Sequence, residues 1–297
     1  MPIFDTPEPI SATVQLHFGT ARLLASDRTD TVVTVQPTDP GSKADQKAVE
    51  QTRVEYSNGS LLVKGPKAWS LLGKGGSIEV TVELPTDSQV RGDTAWGRLQ
   101  TEGRLGECRM NSAHGDIQLD QTGELTANTA HGDVSVGQVH GQFKASTAHG
   151  DITAGQVHGR LTASTAHGVQ RYGRVDGTAK IDIASGDCGV EEITGDLTLS
   201  SAHGDITVGR AHTNVTVRTA SGRIRVGSLV RGATVLETAR GDIEIGIEES
   251  TAAWLDVSSK RGRVHNHLDV TEDPRGAAET VQVRARTYTG DITIRRA

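Results

Sequence analysis

The chain has 297 residues and a formal net charge of −6, with a pI near 6.0 and its Lys and Arg scattered instead of clustered. That balance argues against nucleic-acid binding, which needs a basic patch or stripe. Gly at 35 positions against three each of Phe, Tyr and Trp excludes an interior filled by bulky aromatics and leaves a thin core of Val, Ile, Leu and Ala.

The opening residues, Met1-Pro2-Ile3-Phe4-Asp5, show no basic stretch leading into an apolar one, and no run in the chain approaches the ~20 apolar residues of a membrane span. A soluble, cytoplasmic protein without a transmembrane segment is expected. Residues 1–95 are irregular but strand-rich. Alternating runs fall at Thr13–Phe18, Thr31–Val35, Ser60–Val63 and Ser77–Leu84, each bounded by turn residues. One short helix is predicted over Ser42–Gln51 with an apolar face of Ala44, Ala48 and Val49. This part reads as an N-terminal cap, covering a strand edge that would otherwise be bare.

From Gly97 a repeat becomes explicit. Turn glycines recur at Gly97, Gly115, Gly132, Gly150, Gly168, Gly186, Gly204, Gly222 and Gly241, about 18 residues apart. Each unit splits into two halves, and each half reads as a turn, a Gly and then an apolar-polar-apolar strand. The inward columns run Leu99, Ile117, Val134, Ile152, Gln170, Cys188, Ile206, Ile224 and Ile243, and two residues later Thr101, Leu119, Val136, Ala154, Tyr172, Val190, Val208, Val226 and Ile245. The second half adds Cys108, Leu125, Phe143, Leu161, Ala179, Leu197 and Val215. The alanines two before each glycine, from Ala95 to Ala239, are read as core positions with room for a methyl only. The pattern loosens after Gly246. Strands are expected around Trp254–Val257 and Val264–Leu268, a polar loop at Glu272–Gly276, and a final Thr289-Gly290-Asp291-Ile292 copy that closes the stack.

The expected fold is all-β: a single-stranded β-solenoid (β-helix) of ~18-residue coils with a strand-rich N-terminal cap. Its parts are a cap over 1–95, regular coils over 96–246 and irregular closing coils over 247–297. At one coil per ~4.8 Å, Cys108 and Cys188 would lie on the order of 20 Å apart, beyond disulfide reach, and both read as small buried thiols.

The recurring Ser/Thr-Ala-(His or Ser)-Gly-Asp-Ile, with the strand-rich opening and the final Thr-Gly-Asp-Ile-Thr-Ile, resembles the bacterial DUF4097 family of β-strand-repeat proteins. The resemblance implies a β-solenoid and an adhesin-like role.

Histidine is the sharpest chemical feature. His114, His131, His149, His167 and His203 precede the turn glycine, while His140, His158 and His212 take the matching corner of the other half. Imidazoles on adjacent coils would sit roughly 5 Å apart, which suits a shared Zn or Ni ion or a pH-sensitive ladder. The competing reading is that the corner needs a residue tolerant of unusual backbone angles, since Ser185, Ser221, Arg240, Arg261 and Trp96 also occupy it. The aspartates after the glycine, from Asp116 to Asp291, lack the glycine pattern of calcium-binding β-rolls and are assigned to hydrogen bonds that close their turns. No catalytic set stands apart from the repeat. The most site-like departure, Val169-Gln170-Arg171-Tyr172, is read as a bulge or register shift. The function indicated is a non-enzymatic scaffold for a protein partner or self-association, needing no cofactor. The alternatives are a metal-binding or pH-responsive scaffold and a carbohydrate-active β-helix.

Overall fold

The structure is a computed structural model that describes residues 2–66, 75–268 and 279–297. The loop expected at Glu272–Gly276 lies outside the described residues. The chain divides by its internal contacts into two units, Met1–Asp151 and Ile152–Ala297. Both are β-solenoids in which each coil lays one strand in each of two parallel sheets.

In the first unit, Cys108–His114, Leu125–His131 and Phe143–His149 stack in parallel register in one sheet, while Ile117–Thr122 stacks on Val134–Val139 in the other. The three inward columns read from the sequence are buried throughout both units. The two sheets face each other: a Cβ added at Gly92 in one would meet Leu99 of the other at 3.2 Å.

The first unit ends in a different way from its repeats. Ser11–Ser26 is one long strand bent at Gly19, and it crosses both sheets. It lies between two coils that follow it in sequence, pairing with Ser60–Lys64 and Ile78–Pro85 on one side and Gln89–Trp96 and Leu99–Glu102 on the other. Antiparallel strands then cover the edge: Asp30–Pro37 on Ile78–Pro85, and Arg53–Ser57 folded onto Ser60–Lys64 through Asn58-Gly59, both at positive φ. The predicted helix is present as Lys43–Gln51, capped by Ser42. Its buried face is not the alanine-rich one expected, because Ala44 is exposed and Asp45 is buried beside Ala48. Asp45 accepts the N–H groups of Ser77 at 3.0 Å and Asp39 at 3.1 Å. These bonds, the one from Ser77 foremost, hold its carboxyl below the usual range. The side chain is thus a bracket between loop and helix.

The second unit repeats the coil from Ile152–Val157 through Ile243–Ile247. Around Gln170 and Tyr172 the register is unbroken on both sides, with Ile152 and Cys188 opposite Gln170, and Ala154 and Val190 opposite Tyr172. The expected bulge is therefore absent. Tyr172 fits because its neighbour is only an alanine and because Gln170 changes with it: the buried phenol donates to Gln170 Oε1 at 2.6 Å.

The end of the chain corrects a second expectation. Glu279–Thr289 lies between Gly232–Arg240 and Thr251–Arg261, and Ile292–Arg296 lies between Ile243–Ile247 and Val264–Asn266. The last copy in sequence is inserted one layer in, and Thr251–Asn266 forms the outer layer. Repeat identity sets which surfaces are compatible, but any in-register coil can occupy a layer, so stacking order need not follow chain order.

An inserted strand has neighbours on both sides, so its loss opens the stack instead of trimming it. Deleting residues 279–297 is expected to remove the cooperative unfolding transition of the Ile152–Ala297 unit, measured by circular dichroism against urea. A transition shifted only slightly would contradict the inserted arrangement.

Candidate functional site

The coils turn at a corner of the type Thr-Ala-His-Gly-Asp, in which the Ala and Gly recur while the other positions vary, and the corner is built from a backbone problem. The glycine adopts φ values no other residue tolerates well, +143° at Gly132 and +140° at Gly115. A Cβ at Gly132 would also lie 2.4 Å from the Gly115 carbonyl oxygen. Around it, the Gly115 N–H donates to His131 O at 2.7 Å and the Ile117 N–H to Asp133 O at 2.8 Å, as in an ordinary parallel ladder. The glycine carbonyl and the aspartate N–H between them are left over.

Side chains from the neighbouring coil supply both partners. The Thr129 hydroxyl donates to Gly115 O at 3.4 Å and Thr147 to Gly132 O at 3.3 Å. In the second unit Thr238, Thr287 and Ser259 do the same for Gly222, Gly241 and Gly290 at 3.2, 3.0 and 2.8 Å. The Asp116 carboxylate accepts the Asp133 N–H at 3.1 Å and Asp133 accepts that of Asp151 at 2.8 Å. Asp187 to Asp205, Asp205 to Arg223, Asp242 to Asp291 and Asp291 to Arg263 continue the rule at 2.7–2.8 Å. The aspartates therefore join coil to coil and do not close their own turns as expected. Since the donor is a main-chain N–H, Arg223 and Arg263 can receive the bond as well as an aspartate.

The alanine column is the largest correction. Thr129 is 7% exposed while Ala130 faces solvent, as do Ala113, Ala148, Ala184, Ala202, Ala220 and Ala239. Strand side chains alternate, and the inward residues Leu125, Ala127 and Thr129 put the next position outside. Threonine, not alanine, holds the inward place in most coils; the hydroxyls of Thr129, Thr147, Thr238 and Thr287 bond a glycine carbonyl there, whereas those of Thr94, Ser112, Ser201 and Thr219 are buried without a hydrogen-bond partner among the described residues.

Beside the alanines in the first unit stands a column of rings. Trp96, 53% exposed, stacks on His114 with centroids 3.8 Å apart and planes 15° apart. His114 stacks on His131 at 4.8 Å and 2°, and His131 on His149 at 4.9 Å and 1°. Imidazole lone pairs lie in the ring plane, so parallel rings aim them in parallel and not at a shared point. Among the described residues no group of three or more His, Cys, Asp or Glu is placed to hold a metal ion.

The other predicted histidines fall elsewhere. In the second unit His167 stands opposite Ser185, and His203 between Ser185 and Ser221. His140 is exposed at its corner, its N–H bonded to Thr122 O at 2.9 Å. His158 meets Asp176 at 3.2 Å and belongs to a chain of ion pairs along one corner: Arg174 bonds Asp176 and Glu192 at 2.8 Å each, and His212 bonds Glu192 at 2.9 Å. The His212 hydrogen bond, first, and the nearby Arg174 hold Glu192 below the usual carboxylate range. This network was missed in the sequence, although the 18-residue offset of Arg174 and Glu192 marks them as coil neighbours.

Both cysteines are free and buried. Burial, the largest cause for each, pushes the Cys108 thiol up to about 11 and that of Cys188 up to about 12.

A family model described as Toastrack DUF4097 matches residues 22–228. No curated protein matches the chain. Among solved structures, a protein from Bacteroides fragilis provisionally named an adhesin is 12% identical over 99% of this chain and 95% of that one, with a TM-score of 0.29. Another so named, from Parabacteroides merdae, is 9% identical over 99% and 95%, with a TM-score of 0.27. A provisionally named cell adhesion protein from Clostridium sporogenes is 9% identical over 100% and 98%, with a TM-score of 0.18. Likenesses this distant carry no argument about function.

Two outcomes follow from this geometry. Asp205→Ala removes the acceptor of the Arg223 N–H and is expected to cost about 1–2 kcal/mol in urea unfolding, with Asp205→Asn recovering part of it through its amide oxygen. An unchanged midpoint for Asp205→Ala would show that water replaces the bond without cost. Second, an unfolded thiol ionises near pH 8.5 while the folded ones stay protonated well above it. Their contribution to stability is full below about pH 8.5 and is lost as pH rises toward the folded values. Neither cysteine should react with an aromatic disulfide reagent at pH 8 until the protein is unfolded.

Proposed function

The chain belongs to the Toastrack DUF4097 family, and from the geometry of its repeated corner we propose that it is a non-enzymatic, adhesin-like interaction scaffold. Its contact surface is the face carrying Trp96, His114, His131 and His149 beside Ala113, Ala130 and Ala148. One observation carries the reading: the rings are already stacked and the alanines between them and the sheet are exposed. Alanine loses no side-chain entropy on contact, and a ring held between two others has little left to lose. A partner meeting this face is spared most of the ordering cost that weakens binding to lysine- and glutamate-covered surfaces. The aspartate column supports the non-enzymatic side of the reading. Acid and base work needs carboxylates about 5–10 Å apart across a scissile bond and free to exchange protons, whereas Asp116 and Asp133 are each engaged by a main-chain N–H.

A pH-responsive version of the same scaffold is favoured by the ring spacing. Two protonated imidazoles 4.8 Å apart repel by about 1 kcal/mol in a water-like medium, so acidification works against the stack.

Binding to arrays of purified glycans and bacterial envelope proteins tests both. Any ligand found for the native chain is expected to bind at least about tenfold more weakly to Ala130→Glu, which places a charged, flexible side chain on the face. Its melting temperature should stay unchanged, since the site is exposed. Equal affinity in the variant would sink the assignment of the face. Affinity that is the same at pH 5 and pH 7.5, or that changes equally in His131→Gln, would remove the pH-responsive version.

A further inference from the structure

We infer that the outer strand Thr251–Arg261 is a self-association edge on which a second copy of this chain pairs antiparallel, centred on Leu255. The inference goes beyond the proposed ring face and does not depend on it. Among the described residues Thr251–Arg261 has a strand partner on the Glu279–Thr289 side only, and Val264–Asn266 on the Ile292–Arg296 side only. The core is correspondingly open there. Ala253, Leu255 and Val257 continue the columns of Val281, Val283 and Ala285, which are 0%, 2% and 0% exposed, yet all three are only half-buried, and Trp254 is 66% exposed.

Natural edge strands are usually guarded by proline, bulges or free charges. This 11-residue strand has no proline and keeps register along its whole paired length. Its charges are drawn toward the covered strand instead of guarding the edge. Asp256 is held by Arg286 at 2.7 Å and Arg284 at 3.3 Å, while Lys260 and Arg261 lie over the Tyr288 ring at 4.8 and 5.4 Å.

The strand is complementary to itself. Arg286 of the covered strand donates to the Asp256 carbonyl at 2.7 Å, so Asp256 faces the covered side and by strand alternation the main-chain groups of Ala253, Leu255 and Val257 face the open side. Antiparallel pairing centred on Leu255 sets the two copies of Leu255 opposite each other as a hydrogen-bonded pair and Trp254 against Asp256 of the second copy as a non-hydrogen-bonded one. On the core side it sets Leu255 on Leu255, Ala253 on Val257 and Thr251 on Ser259, so apolar side chains meet at the centre and no like charges are opposed. A register centred on Asp256 would instead face two carboxylates. The same strand pairs with itself about a two-fold axis, which uses up the edge on both copies, so the assembly is a closed dimer and not a filament.

Sedimentation and light scattering of the full chain over a wide micromolar range test this. A species of twice 31.4 kDa is expected, with no larger polymer, and Leu255→Lys should shift it to monomer without changing the circular dichroism spectrum. Because a hydrogen-bonded pair brings Cα atoms to ~5.5 Å, within disulfide range, Leu255→Cys should form a disulfide-linked dimer under mild oxidation. Val257→Cys, which faces Ala253, should not, and the buried Cys108 and Cys188 do not compete. A native chain that stays monomeric at every concentration, a growing polymer, or failure of Leu255→Cys to cross-link would overturn the proposal.

Discussion

Each corner of this solenoid leaves one carbonyl and one N–H without a sheet partner, and the rest of the coil is arranged around satisfying them. Glycine is needed to turn the chain where a Cβ would strike the glycine carbonyl of the adjacent coil. Turning frees the two groups; the buried threonine then bonds the carbonyl and the aspartate of the adjacent coil bonds the N–H. Both bonds run between coils. Where both bonds form, the corner does locally what the parallel ladders do along the strands; at the corners of Ser112, Ser201 and Thr219 the hydroxyl makes no such bond.

The same arrangement explains which positions vary. Histidine, serine, tryptophan and arginine all occur before the glycine because that side chain makes no obligatory bond. Where consecutive coils place flat rings there, as from Trp96 to His149, the ladder spacing stacks them. The core tolerates exchange on different terms. Tyr172 stands where other coils have Val or Leu, with Ala154 beside it and Gln170 accepting its hydroxyl, so volume and hydrogen bonding are both compensated within adjacent residues.

Both ends depart from simple succession. Ser11–Ser26 and Glu279–Arg296 each enter one layer inside their unit, which gives the long strands neighbours on two sides. The first unit covers the layer beyond with antiparallel strands and the Asp45-bracketed helix; in the second the layer beyond is Thr251–Asn266. An inserted strand and a sequential one present the same inward columns, which is why a repeat pattern is blind to the difference.

Much of the architecture was legible in the chain. A period near 18 with alternating apolar residues can bury one face only by stacking coils, so Leu125, Val134, Ile206 and the rest of their columns were placed inside from spacing alone. The short helix and the histidine columns were placed in the same way. The alanine column was misread because its offset was counted from the glycine and not from the strand parity set by Leu125 and Ala127. The stacking order of Glu279–Arg296, the direction of the aspartate bonds and the pairing of Tyr172 with Gln170 depend on which coil lies next to which. The sequence by itself determined a repeating coil with one buried face, because hydrophobic periodicity is a local property. Only the tertiary structure decided which coils are neighbours and where each corner's two leftover groups find partners, because those bonds join residues that adjoin in the stack and not along the chain.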